Sequence, residues 1–155
     1  MILGRMLMTL AIGALATPAS SAFAAHCPRQ APNDIADAVR AMYAAAAKGD
    51  DAALHDQLAP DFYAFEGGVR MDGMTLPNTV RKAQNGGRRF QWSVTKPDVR
   101  MQCGLATIAY VNVGAVGDSS GMRPVTWLES ATLIFARGAW RIAFLNSTRT
   151  PAQPQ

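Results

Sequence analysis

Residues 38–65 read AVRAMYAAAAKGDDAALHDQLAPDFYAF, and the punctuation of this stretch decides the fold. Ile35, Val39, Met42, Tyr43 and Ala46 recur at helical spacing, and Asn33 or Asp34 can cap the helix they build. Gly49 ends that helix. Asp50 or Asp51 then caps a second, shorter helix through Leu54 and Leu58, which Pro60 stops. Residues 61–66 (DFYAFE) are aromatic and strand-like, and Gly67-Gly68 turns the chain.

Downstream, another short helix is expected over residues 75–85, closed by Gly86-Gly87. The character then changes. Residues 90–96, 99–117, 123–137 and 139–147 are rich in β-branched and aromatic side chains, separated by Pro97-Asp98, a Gly/Ser turn and Arg137-Gly138. Helices first and a meander of long strands afterwards is an α+β pattern, with the helices on one face of an antiparallel sheet. One domain over residues 33–148 accounts for the pattern, and residues 149–155 are expected to form a flexible tail.

Upstream, the chain reads as an export signal. Arg5 supplies a positive start, the stretch 6–16 (MLMTLAIGALA) carries no charge, and Ala22-Phe23-Ala24 offers a small-x-small cleavage site. The uncharged run is too short to span a bilayer, which takes about 20 residues. His26 precedes Cys27 where a lipoprotein signal needs a small residue, so no stable membrane anchor is expected. A signal peptide over residues 1–24 sends the mature chain to the periplasm or out of the cell. In that oxidising setting Cys27 and Cys103, the two cysteines, can pair; a bridge closing so long a loop is worth about 4.5 kcal/mol in the chain-entropy account. The alternative is two separate thiols.

The whole chain has 15 Lys+Arg against 11 Asp+Glu, and loss of Arg5 leaves it only mildly basic. The densest positive stretch, Arg81-Lys82 with Arg88-Arg89, is expected to be a solvated face, and no nucleic-acid partner is expected. Residues 117–121 (GDSSG) match the G-x-S-x-G nucleophile pattern, but a strand follows where that elbow needs a helix. A hairpin loop is the expectation there.

The stretch 38–65, with Gly49-Asp50 between two helices and Pro60-Asp61-Phe62 before the first strand, resembles the nuclear transport factor 2-like superfamily. Residues 127–148 (WLESATLIFARGAWRIAFLNST) extend the resemblance, which covers essentially residues 35–148. The SnoaL-like and ketosteroid-isomerase-like branch is the most similar. The resemblance implies a cone-shaped, curved antiparallel sheet packed with N-terminal helices, a fold that serves isomerases, cyclases, dehydratases and pure binding modules.

Carried over residue by residue, the resemblance puts Glu66 where ketosteroid isomerases hold a carboxylate general base. An apolar cup would raise its pKa towards neutrality; the alternative is an exposed Glu66 before the Gly-Gly turn. The oxyanion-stabilising tyrosine of those enzymes falls on Met42. Tyr43, rotated from it by about 100°, is expected to pack under the sheet with its hydroxyl reaching a partner at the edge. Glu129 shares one strand face with Trp127, Ala131, Leu133 and Phe135, so it either lines the pocket as a second acid or pairs with an arginine across the sheet, Arg141 being the candidate. Phe144 and Asn146 stand where SnoaL-like proteins often carry histidines. With only His26 and His55 in the chain, no metal site and no histidine chemistry are expected, and no cofactor is called for.

Two functions follow. In the first, a cup lined by Phe65, Trp92, Tyr110, Trp127, Glu129 and Asn146 binds a small amphipathic molecule, with a homodimer as the assembly to test. In the second, a cofactor-free isomerase or lyase uses Glu66 as base and Glu129 or Asn146 as the polar stabiliser.

Overall fold

The computed structural model describes residues 31–151; the signal-peptide reading of residues 1–24 and Cys27 of the expected cysteine pair lie outside them. Helix α1, Pro32–Lys48, begins two or three residues earlier than a cap at Asn33 or Asp34 suggests. Pro32 sits at the first helical position, where its missing N–H costs nothing, and Asp34 reaches back to accept from the Ala31 N–H at 2.8 Å. Ile35, Val39, Met42 and Tyr43 are buried on one face. Gly49 closes the helix at φ 68°, a left-handed conformation that glycine adopts without strain. Asp50 caps helix α2, Asp51–Gln57, by accepting from the Ala53 N–H at 3.0 Å.

Strand β1, Leu58–Glu66, follows α2 with no loop, so Pro60 lies inside the strand instead of ending the helix. The pairing of β1 is irregular between Leu58 and Tyr63, which accommodates the missing N–H. A short strand that the sequence did not announce, β2 (Val69–Asp72), returns from the Gly67-Gly68 turn, and helix α3 spans Thr75–Asn85. Four strands complete the chain: β3 Arg89–Gln102, β4 Leu105–Asp118, β5 Gly121–Ala136 and β6 Ala139–Arg149. The expected break at Pro97-Asp98 is absent. Lys96 adopts φ 50° and the register slips between Thr95 and Asp98, so the proline sits in a bulge of an edge strand, where its missing donor is tolerated. The turn comes later, through Gly104 at φ 70°. Residues 117–121 form the β4–β5 hairpin turn, Asp118 accepting from the Ser120 N–H at 2.8 Å.

The six strands form one sheet in the order β2-β1-β6-β5-β4-β3. Its neighbours run antiparallel except β1 and β6, which are parallel; a purely antiparallel sheet is therefore corrected to a mixed one. The sheet is curved and unclosed. The helices cover its concave face, and the core between them holds Ile35, Val39, Ile108, Leu133 and Ile142. The tail starts later than residue 149: Arg149 is still strand, and the Thr150 N–H donates to the Thr126 carbonyl at 2.9 Å.

Candidate functional site

A cavity of about 250 Å³ opens between the concave face of the sheet, α1 and α3. Its walls are apolar apart from a small polar floor. Strand alternation supplies that floor: Phe62, Ala64 and Glu66 of β1 face inward, as do Trp127 and Glu129 of β5 and Leu145 and Ser147 of β6. Glu66 and Glu129 are both paired in register with Ser147, so one serine lies in the sheet between two carboxylates.

Glu129 is only 6% exposed. Its Oε2 accepts from the Tyr43 hydroxyl at 2.6 Å and from the Asn112 side-chain amide at 3.0 Å. Asn112 is itself fixed, its Oδ1 accepting from the Ser93 N–H at 2.9 Å. The expected alternative, an ion pair with Arg141, is not formed: Arg141 donates to the Asp56 carbonyl, and no ion pair among the described residues includes Glu129. A carboxylate buried in this way is held by neutral donors that replace water.

Tyr43 corrects the expectation of an edge partner. Its hydroxyl enters the cup and reaches a strand in the middle of the sheet, while Met42 lines the same cavity one position earlier. The cavity wraps wide enough around α1 to take both. Burial pushes the Tyr43 phenol well above its ordinary value, helped by Tyr110 and by the charge of Glu129. Tyr110 is also pushed up, by burial first and then by Glu129.

Glu66 is half-buried and lines the cavity. Burial raises its carboxyl above the ordinary value; the Ser147 hydroxyl nearby draws it back, and the charge of Glu129 adds to the rise. That hydroxyl belongs to a residue 3% exposed, yet it makes no hydrogen bond of ordinary geometry. Trp92 and Trp127 form part of the wall, Trp92 stacked on Phe90 at 5.2 Å between ring centroids.

Three expected lining residues lie elsewhere. Phe65 points to the outer face, where it packs with Tyr63 and Phe144 at 6.0 and 5.8 Å. Asn146, paired with Phe65 and Ser130, faces outward too, and Ser147 takes the inward place. The cause is a bulge: Ile142 pairs with Leu133 and Phe144 with Thr132, so Ala143 is an extra residue that flips the parity of everything after it. Tyr110 is buried behind the floor, its hydroxyl 3.3 Å from that of Tyr43, and is no part of the cavity wall.

Helix α3 roofs the cavity through Leu76, Val80 and Ala83. It buries no residue fully. Arg81 ties it down by donating to the Gly49 carbonyl and to Asp51, and Gln84 donates to the Ala46 carbonyl at 3.0 Å. Arg81 is therefore a strut, not part of a solvated face.

Sequence reasoning missed Asn112, Ser147 and the catch of Tyr43 on Glu129. Asn112 left a signal: it follows Ala106, Ile108 and Tyr110 at alternate positions, a lone amide on an apolar face.

No family model matches the sequence, and no curated protein matches it. Solved structures do. A Streptomyces avermitilis protein, provisionally described as a dehydratase of the nuclear transport factor 2-like family, shares 13% identity over 77% of this chain and 96% of its own, with a TM-score of 0.68. A nuclear transport factor 2-like protein from Cytophaga hutchinsonii shares 12% over 79% and 100%, at 0.66. The association domain of calcium/calmodulin-dependent kinase II from Caenorhabditis elegans shares 19% over 75% and 93%, at 0.64. At such identities the likeness speaks for architecture, and it agrees with the helices-on-a-curved-sheet arrangement described above: this chain has the nuclear transport factor 2-like fold.

Proposed function

We propose that this chain is an exported binding module that holds a small amphipathic molecule in its apolar cup. The observation that carries the reading is the state of the polar floor. Tyr43 gives its one O–H to the Glu129 carboxylate and Asn112 donates there from a fully buried position behind the wall, so neither is available to stabilise an oxyanion, while the walls offer an apolar surface to a ligand. A cavity of about 250 Å³ suits a ring with a short substituent, since one of roughly 150 Å³ accommodates benzene.

A second reading, a cofactor-free isomerase or lyase of the ketosteroid-isomerase or polyketide-cyclase kind, has one observation in its favour. Both carboxylates face the same cavity, and Glu66 is shifted in the direction a general base needs. Titration of tryptophan fluorescence with small aromatic compounds tests the first reading. Binding that is lost in Ala83→Phe, which fills the cavity from the roof, supports it; binding that survives the filling overturns it. Deuterium uptake by an enolisable cyclic ketone, abolished in Glu66→Gln, would move the protein to the second reading.

Export and the Cys27–Cys103 bridge belong to the same proposal. Intact-mass analysis of the exported protein under non-reducing conditions should find a chain beginning at Ala25 or His26, with both cysteines oxidised. An intact Met1 would refute export, and two free thiols would refute the bridge. We infer further that the outer face of the sheet meets a second copy of the chain. Val113 and Leu128 are 47% and 54% exposed there, and the neighbouring outward positions Val111, Thr126 and Ser130 carry no charge.

A further inference from the structure

We propose that the molecule the cup accepts is an organic amine, bound as its ammonium ion between Glu66 and Glu129 with its apolar body against Trp92 and Trp127. The inference rests on the binding-module reading and names the ligand's chemistry.

The residues lining the cavity include two carboxylates and no lysine, arginine or histidine. Neither Glu66 nor Glu129 belongs to any ion pair among the described residues. Two acidic groups facing one apolar space repel each other, and Glu129 adds to the rise that burial imposes on the Glu66 carboxyl. An anionic ligand would add a third like charge, and a neutral one would leave the repulsion in place. A cation relieves it.

Glu66 and Glu129 stand on strands separated only by β6, their backbones roughly 10 Å apart across the strands, on either side of Ser147, the residue paired with both, and both line the cavity. Ser147 lines the cavity, and its buried hydroxyl makes no hydrogen bond of ordinary geometry, lying near enough to Glu66 to act on its carboxyl. The hydrogen bonds from Tyr43 and Asn112 both end on Oε2 of Glu129, and the carboxylate lines the cavity. Glu66 and Glu129 thus flank Ser147 in one cavity wall, and an ammonium group has three N–H donors to share between the two carboxylates. Trp92 and Trp127 in the same wall complete the match, because tryptophan is the ring that attracts a cation most strongly.

The test compares three probes of one shape and different charge: phenethylamine, 2-phenylethanol and phenylacetate. Calorimetry and tryptophan fluorescence should show the amine binding at least about tenfold tighter than the alcohol, with phenylacetate the weakest. Glu66→Gln should bring the amine-to-alcohol ratio towards unity, and Glu129→Gln should do the same if its melting curve shows it folded; the half-buried Glu66 variant keeps the test decisive if it does not. Equal affinities for amine and alcohol would overturn the amine inference and leave the cup reading standing. Failure of all three probes would overturn both. A preference for the amine that persists in Glu66→Gln would place the cation elsewhere and refute this site.

Discussion

Glu129 is the residue on which the site turns, and its environment makes a definite forecast. Glu129→Ala removes the acceptor of two buried donors at once, leaving the Tyr43 hydroxyl and the Asn112 amide without a partner. The expected loss is about 2–4 kcal/mol in thermal or denaturant unfolding. Glu129→Gln keeps an acceptor oxygen in the same volume, and it should cost less than about 1.5 kcal/mol. A loss in the glutamine variant as large as in the alanine variant would contradict the network. Glu66 adds a dependence on pH. Its folded-state pKa is raised, so the folded chain holds that proton more tightly than the unfolded chain does. Its contribution to stability is fully present below the ordinary value of 4.5 and is lost as pH rises through the raised one. Melting curves across that window should show Glu66→Gln gaining on the unsubstituted protein as pH increases. Parallel curves would refute the shift.

At the scale of elements, α3 is the helix least buried in the core. It has no fully buried residue, and its hold on the rest includes Arg81 and Gln84, which reach the carbonyls around the end of α1. The Gly49 position makes this possible, since a Cβ there would collide with the Arg81 guanidinium and the backbone is left-handed as well. Arg81→Ala should lower global stability by only about 1 kcal/mol while amide exchange over residues 75–85 quickens markedly. Protection of those amides equal to that in the unsubstituted protein would show that the strut is dispensable.

Across the whole molecule, the helices shield one face of the sheet and leave the other open. Leu128 and Val113 stand exposed on that outer face beside uncharged neighbours, a surface that suits burial against its own copy. Light scattering should report a dimer, and Leu128→Glu should return it to a monomer with an unchanged melting profile in the monomer's concentration range. A monomer before substitution would end the idea.

The order of the three helices, the helical face of α1, the Gly49-Asp50 junction, the inward row of β5 and the presence of Glu66 and Glu129 were legible in the sequence, because each is set by local periodicity or by a capping residue; β2 and the boundary between β3 and β4 were not. Tertiary structure decided the rest. Asn146 and Ser147 exchange faces because Ala143 bulges out of β6, and periodicity cannot show a residue skipped by its partner strand. Pro97 signals a turn by its chemistry but rides in an edge strand, since only the assembled sheet determines which strand lies at the edge. The hydrogen bond from Tyr43 to Glu129 joins residues 86 positions apart, and no local pattern encodes a contact that exists only once α1 is laid across the concave sheet.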